Sequence, residues 1–219
     1  AAVIIEPARD RLVDKKFIKE IRKLCSKNNS VLIFDEITSA WRNETAGIHK
    51  EIGVNPDMAA FGKTISNGVP MAALIGKREI MENAKKTFIS STNWSERLGP
   101  ATAVKFLKKH KRENAGKILI HNGKKIRRIW EKASENAGLD LKISGIYPLS
   151  SFKIVTDDWP IVITYFIQEM LKYNILASDR CYSNTCQNER SLKIYEAACY
   201  EVFLKISKYL NQNTLKSKL

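Results

Sequence analysis

Asp57-Met-Ala-Ala-Phe-Gly-Lys-Thr-Ile-Ser-Asn-Gly-Val-Pro70 is the stretch around which this sequence is organised, because it sets a lysine between two apolar segments. Lys63 follows Phe61-Gly62 directly, and the apolar run 71–75 comes after a short polar turn. We therefore predict that Lys63 lies on a turn between two buried segments. Burying an ammonium is costly, so a neutral, nucleophilic amine becomes accessible there and can form a Schiff base with a carbonyl. The alternative is a lysine at a strand end whose ammonium reaches water.

Upstream of this stretch, the pattern is strand, helix, strand. Residues 1–5 and 31–34 are short apolar runs, which predict buried strands. Residues 14–27 place Phe17, Ile18, Leu24 and Cys25 at the spacing of one helix face. A helix between two apolar strands is typical of a parallel sheet.

Three ionisable residues each follow a short apolar segment: Glu6, Asp35 and Lys63. Open α/β sheets bind their ligands outside the carboxyl ends of the strands. We therefore expect these three side chains to converge on one crevice. The alternative for Asp35 is a cap or an ion pair at the surface.

The region from residue 40 to residue 100 carries fewer regular patterns. Residues 40–55 are predicted as a loop, and residues 77–86 as one short helix. The loop 87–99 contains Ser90-Ser91-Thr92, a hydroxyl cluster suited to holding a phosphate. A simple helix cap is the alternative for these hydroxyls.

After Pro100 the character of the chain changes from a parallel-sheet pattern to a mixed one. Helices are predicted near residue 101 and over 114–137, 160–173 and 189–210, and short strands over 141–143, 152–155 and 175–177. Such a mixture is typical of an α+β unit. We therefore divide the chain into residues 1–100 and residues 101–219.

The net charge of +14, from 37 basic and 23 acidic residues, has two readings. A basic face could bind nucleic acid or anionic lipid, or the excess could be lysine dispersed over solvated helices. The densest cluster, 105–112, lacks the interleaved aromatics of a single-strand binder, and no apolar run reaches the ~20 residues of a membrane span. Dispersed charge, with neither nucleic acid nor membrane as partner, is therefore the prediction.

The four cysteines contain no Cys-x-x-Cys pair, and the three histidines show no metal-ligand spacing. No metal site is therefore predicted. Reduced thiols are typical of proteins in the cytoplasm, which is the expected location.

Taken in order, these residues resemble the class III (subgroup II) aminotransferases, nearest to the branch that contains glutamate-1-semialdehyde aminomutase. The matching pieces are Ile5-Glu6-Pro7, Phe34-Asp35-Glu36-Ile37-Thr38 with Arg42, Pro56-Asp57-Met58, Phe61-Gly62-Lys63 with Gly68-Val69-Pro70, and Ser91-Thr92. Lys63 follows Asp35 by 28 residues (63 − 35), which fits the spacing in the family. The resemblance implies an α/β fold. Residues 1–100 would be the second half of a fold-type I large domain, with a mostly parallel sheet and helices, and residues 101–219 an α+β C-terminal small domain.

The resemblance also implies a role for five residues in binding pyridoxal phosphate (PLP). Lys63 would form a Schiff base with the cofactor and carry a proton to and from the substrate, while Asp35 would pair with the pyridine nitrogen. Ile37 would pack on one face of the ring. Thr92 would bond the cofactor phosphate from the neighbouring subunit of a homodimer, and Glu6 would place a carboxylate near the pocket.

The implied activity is transamination between a small-molecule amino donor and a carbonyl acceptor. An intramolecular aminomutase, a truncated PLP-fold protein without catalysis and a basic nucleic-acid binder are the alternatives. In the family, the phosphate-binding loop and the aromatic residue that stacks on the ring precede the part that this chain matches. We therefore expect an N-terminal portion to be missing from the sequence.

Overall fold

The computed structural model describes residues 1–43, 46–90, 92–93 and 95–212, and the chain forms two compact units, 1–117 and 118–219. The first unit contains, in chain order, β1 (Ala2–Ile5), α1 (Lys15–Lys27), β2 (Val31–Asp35), α2 (His49–Ile52), β3 (Met58–Phe61), a 3-10 turn (Lys63–Ile65), β4 (Ala73–Gly76), α3 (Arg78–Met81), a second 3-10 turn (Glu82–Lys86) and α4 (Leu98–Glu113). Helix α5 (Ala115–Asn136) spans the boundary, and the second unit continues with β5 (Leu141–Ser144), β6 (Leu149–Ile154), α6 (Trp159–Leu171), β7 (Arg180–Tyr182) and α7 (Glu189–Asn211). Within the described ranges, none of the helices has the length and apolar character that a membrane crossing requires.

The first unit is built on a four-stranded sheet in the order β1–β2–β3–β4. Strands β1, β2 and β3 run parallel to one another, whereas β4 runs antiparallel to β3. The strands predicted at 1–5 and 31–34 are thus confirmed as neighbours in a mostly parallel sheet. Because parallel strands end at the same edge, the residues that follow β1, β2 and β3 are brought to one side of the sheet.

Helix α1 forms where the sequence predicts it, because both its cap and its apolar spacing favour a helix. Asp14 caps its start by accepting hydrogen bonds from two first-turn N–H groups, both at 2.9 Å. Ile18 and Cys25 are buried, but Phe17 and Leu24 are 51% and 55% exposed. The buried face of the helix is therefore narrower than predicted.

At the amino ends of β2 and β3, one buried carboxylate ties the sheet together. Asp57, directly before β3, accepts hydrogen bonds from the Leu32 N–H at 2.8 Å and the Arg22 guanidinium at 2.7 Å, and the Lys77 ammonium lies 2.7 Å from its other oxygen. Burial by itself would raise the pKa of Asp57, but these three donors lower it to about 2. This end of the sheet is therefore held by a carboxylate whose two oxygens are both paired.

In the second unit, helices α5, α6 and α7 pack with an antiparallel sheet in the order β5–β6–β7. The centre of its core is aromatic: the ring of Phe152 lies 4.9 Å from Trp130, 5.3 Å from Phe166 and 5.7 Å from Phe203. The one polar atom of Trp130, its indole N–H, donates to the Tyr195 hydroxyl at 2.7 Å. The strands predicted at 141–143 and 152–155 are confirmed, and they pair antiparallel.

Several local predictions are wrong. Residues 175–177 form no strand, because the Ile175 N–H donates to the Met170 carbonyl at 3.1 Å and closes α6, and Leu176 is 90% exposed. The apolar run 71–75 is not a buried segment, since β4 is an edge strand whose Leu74 and Ile75 are about half exposed. Residues 77–86 form α3 and a 3-10 turn rather than one helix, and the loop predicted at 40–55 contains α2.

Candidate functional site

The candidate site lies at the carboxyl edge of the parallel strands, on the turns that follow β2 and β3. Lys63 begins the 3-10 turn after β3, with a φ of 45° in the left-handed region. Its carbonyl accepts hydrogen bonds from the N–H groups of Ser66 at 3.1 Å and Asn67 at 3.2 Å, and from the Ser66 hydroxyl at 2.6 Å. A residue with a Cβ stays in this costly conformation where its surroundings over-determine it. The turn therefore fixes the backbone of Lys63.

The side chain of Lys63 is exposed, so the expectation of a buried ammonium is wrong. The nearby side chains of Phe61 and Ile65 are buried, so the sequence pattern predicts a buried segment. Lys63 itself lies on a turn beyond the end of β3. Its Nζ donates a hydrogen bond to the Thr38 hydroxyl at 2.7 Å. The lysine amine is thus tied to the turn that follows the neighbouring strand β2.

Asp35 ends β2, and Ile37 lies on the turn that follows it, one residue before the Thr38 that Lys63 contacts. Asp35 is the last residue of β2, and its Oδ1 accepts a hydrogen bond from the Ile37 N–H at 3.0 Å. Ile37 lies against Gly62, where an added Cβ would meet the Ile37 side chain at 3.4 Å. Gly62 and Lys63 on one turn therefore contact Ile37 and Thr38 on the other.

Glu6 and Thr92 are placed differently. Glu6 follows β1, so it lies at the same edge of the sheet, and its carboxylate is 3.6 Å from the Arg9 guanidinium. Thr92 lies in an exposed turn before α4, and Ser91 beside it lies outside the described residues. Among the residues that the structure describes, no hydrogen bond or ion pair joins either Glu6 or Thr92 to Lys63 or Asp35.

Sequence reasoning missed Glu36, the fully buried carboxylate that follows Asp35. It accepts hydrogen bonds from the Ser39 hydroxyl and the Ile48 N–H, both at 2.8 Å, and from the N–H and the ring Nδ1 of His49, both at 3.0 Å. Burial would raise the pKa of Glu36, but these donors lower it. An added Cβ at Gly47 would come within 2.4 Å of Glu36 Oε1, so a glycine is required there. Glu36 thus fastens α2 to the turn that carries Asp35 and Thr38.

The arrangement unites a primary amine, a carboxylate and an aliphatic side chain on two adjoining turns. An amine can bond covalently to a carbonyl, and a carboxylate can bind a protonated ring nitrogen. The described part of the chain contains no group of three or more His, Cys, Asp or Glu residues that could hold a metal ion.

Comparison with known sequences gives a family match and two kinds of relative. The family model described as Aminotransferase class-III matches residues 1–137. A 3-aminobutyryl-CoA aminotransferase of Cloacimonas acidaminovorans is 33% identical over 162 residues, which are 70% of this chain and 39% of that protein. A glutamate-1-semialdehyde 2,1-aminomutase of Bdellovibrio bacteriovorus is 32% identical over 156 residues, which are 68% of this chain and 37% of that protein. The chain thus spans less than two fifths of these curated relatives.

Comparison with solved structures identifies the fold. The PLP internal aldimine form of the FumI protein of Sphingopyxis sp. MTA144 matches 96% of this chain and 53% of its own, with a TM-score of 0.89 and 21% identity. An omega-transaminase from Sphaerobacter thermophilus matches 94% of this chain and 52% of its own, with a TM-score of 0.81 and 19% identity. The predicted α/β fold, part of a fold-type I architecture with a mostly parallel sheet, is therefore confirmed.

Proposed function

The chain belongs to the class-III aminotransferases, and from that membership we propose that the protein carrying it is a PLP-dependent transaminase. It moves an amino group from a small-molecule amino donor to a carbonyl acceptor. The observation that carries this proposal is the 2.7 Å contact from Lys63 Nζ to Thr38, which sets the amine beside the turn of Asp35 and Ile37. The same reaction class is supported by the similarity to the 3-aminobutyryl-CoA aminotransferase and by the fold shared with the omega-transaminase.

The residues present fit this cofactor. Bound there, PLP supplies an aldehyde that takes up the amino group and a ring that accepts electrons from the substrate carbon. Asp35 would bind the ring nitrogen and stabilise its positive charge, and the Ile37 N–H on Oδ1 keeps the carboxylate oriented for that contact. Ile37 would pack against the ring, supported from behind by Gly62.

Lys63 has two tasks in this proposal. Its Nζ would bond covalently to the cofactor aldehyde, which explains why the backbone is fixed while the side chain is exposed. Once the substrate amine displaces it, the same nitrogen would take a proton from the substrate α-carbon and return it elsewhere. Both tasks need a long side chain on a rigid turn, which this site combines.

Glu6 and Thr92 complete the proposed site. Glu6 would place its charge at the mouth of the crevice, where β1 ends beside β2. We further propose a homodimer, in which the exposed Thr92 hydroxyl of one chain binds the cofactor phosphate in the site of the other. The exposure of Thr92 on a turn supports this arrangement.

An intramolecular aminomutase is a second candidate, favoured by the aminomutase from Bdellovibrio bacteriovorus among the relatives. The cytoplasm is the proposed location. All four cysteines carry free thiols, which is typical of a reducing compartment.

A half-reaction experiment tests the proposed function and separates the two candidates. The PLP-loaded protein is mixed with L-alanine, β-alanine or L-glutamate alone, without a carbonyl acceptor. A transaminase is expected to release about one keto product per site and to lose its visible cofactor absorbance, because the amino group stays on the protein. An aminomutase releases no keto product from any donor. A protein that has no visible absorbance after loading with PLP would contradict both.

A further inference from the structure

The hydrogen bond between Lys63 and Thr38 joins two side chains of opposite character. Lys63 is exposed and long, whereas Thr38 is only 4% exposed and short. An exposed lysine normally keeps its ammonium in water, where it samples many rotamers. Here the ammonium lies 2.7 Å from one buried hydroxyl.

The acceptor in this pair is rigidly held. The carbonyl of Thr38 accepts a hydrogen bond from the Arg42 Nε at 3.3 Å. Glu36, two residues before Thr38, accepts four hydrogen bonds. One of them comes from the hydroxyl of Ser39, the residue after Thr38, at 2.8 Å. Thr38 therefore presents its oxygen at a defined place, and the position of the lysine amine follows from it.

The chemistry of the pair suits a nucleophilic amine. The Thr38 hydroxyl oxygen accepts a hydrogen bond from one N–H of Lys63. When the ammonium loses another of its protons, the lone pair on the nitrogen becomes free to attack a carbonyl. A neutral hydroxyl also forms no ion pair with the ammonium, unlike the Asp57 carboxylate that binds Lys77 at 2.7 Å. A lysine held in this way is positioned by a hydrogen bond and not by an ion pair.

We propose that Thr38 is a catalytic residue of this site, whose hydroxyl holds the free Lys63 amine beside the turn of Asp35 and Ile37. The inference rests on the proposed cofactor chemistry. In covalent capture, the Lys63 ammonium first loses one proton to solvent, and its nitrogen then bonds to the aldehyde carbon. The carbonyl oxygen leaves as water with the two remaining amine protons. Thr38 thus acts while the amine is free, before capture and again after the substrate amine has displaced it.

Three variants isolate the hydroxyl of Thr38. Thr38→Val keeps the shape and removes the acceptor, and Thr38→Ser restores it. Thr64→Val is the matched control, because Thr64 follows Lys63 directly and its buried hydroxyl has no hydrogen-bond partner in the described part of the chain. The same isosteric change there removes no contact to the amine.

The first measurement needs no cofactor. Nitrogen-15 relaxation of lysine ammonium groups compares Lys63 with Lys105, which is exposed on α4. We expect the Lys63 ammonium to be ordered in the wild type and in Thr64→Val, and as mobile as that of Lys105 in Thr38→Val. A wild-type Lys63 ammonium as mobile as that of Lys105 would overturn the proposal even if no variant folds.

The second measurement is the rate of covalent capture, followed by absorbance after mixing with PLP. Loss of one hydrogen bond to a charged group predicts a rate about tenfold lower in Thr38→Val. Thr38→Ser should stay within about threefold of wild type, and Thr64→Val should be unchanged. Capture by Thr38→Val at the wild-type rate would reject the role. If the wild type itself forms no covalent bond at Lys63, the proposed function fails, whereas the relaxation result still decides whether Thr38 holds the amine.

Discussion

The two ends of strands β2 and β3 carry the same kinds of side chain, yet these side chains are paired in different ways. At the amino end, Asp57 accepts from a backbone N–H, an arginine and a lysine, and its pKa falls to about 2. At the carboxyl end, the one hydrogen bond that the described structure gives the Asp35 carboxylate comes from the Ile37 N–H, and Lys63 donates to a neutral hydroxyl. A carboxylate and a lysine bound to each other stabilise a fold, whereas the same groups held separately keep their capacity to react.

The largest expected effect comes from removing the lysine at the carboxyl end, Lys63. Lys63→Ala should abolish turnover, while the free energy of unfolding falls by only about 1 kcal/mol, because the buried Thr38 hydroxyl loses its hydrogen-bond partner. Lys77→Ala is the matched control at the other end. It should keep turnover and lose up to ~1 kcal/mol of stability, since its partner Asp57 is buried but Lys77 is 56% exposed. Steady-state kinetics and thermal unfolding of both variants check this, and an active Lys63→Ala enzyme would refute the assignment.

Asp35→Asn comes next, because it removes the charge that would stabilise the protonated cofactor ring. We expect a loss of roughly 10³-fold or more in turnover, which corresponds to about 4 kcal/mol of transition-state stabilisation. The variant should still bind PLP covalently. Activity within about threefold of the wild type would exclude the proposed role.

Asp57→Asn should break the other half of the comparison, with loss of stability rather than of chemistry. The pKa of Asp57 lies at about 2 instead of 3.8, so its ionised form contributes about 2 kcal/mol to folding. Because the folded-state value is the lower one, this contribution is present above pH ~4 and is lost as the pH falls towards 2. Unfolding free energies measured from pH 6 to pH 2 should converge for wild type and variant. Parallel curves across that range would contradict the account.

Thr92→Val removes one proposed hydrogen bond to the cofactor phosphate and leaves the catalytic groups in place. PLP affinity should fall by about one to two orders of magnitude, and the dimer should persist. Titration with PLP and sedimentation check the two statements.

Subunit mixing tests whether that bond crosses the dimer. Lys63→Ala and Thr92→Val chains are allowed to exchange subunits at a PLP concentration that leaves Thr92→Val unsaturated. If the site is shared, one site of the heterodimer carries both lesions and the other carries neither, so activity should reappear. No recovery after verified exchange would mean that Thr92 acts within its own chain.

Much of the first unit could be predicted from local pattern. The apolar strands, the Asp14 cap of α1 and the order Glu6, Asp35, Lys63 after successive strands all depend on residues close in sequence. Parallel pairing then places these three residues at one edge without further information. The role of each in binding PLP stays a prediction, as does the division of the chain at residue 100.

What could not be predicted depends on contacts between distant residues. At the start of helix α2, the N–H groups of Ile48 and His49 donate to Glu36, 12 and 13 residues earlier. A local apolar periodicity therefore does not predict this helix. The partner of Lys63 is a threonine 25 residues away, whose side chain carries no charge to suggest the pair. Likewise, residues 175–177 are apolar enough for a strand, but the Ile175 N–H donates its hydrogen bond to the Met170 carbonyl at the end of α6.

The most direct test of the reactive lysine is to trap it chemically. The protein carrying this chain is loaded with PLP, reduced with borohydride, digested and mapped by mass spectrometry. Lys63, held by a neutral hydroxyl, should carry the pyridoxyl group at close to one per chain, and Lys77, paired with Asp57, should carry none. A label on Lys77, or one spread over the surface lysines, would contradict the account.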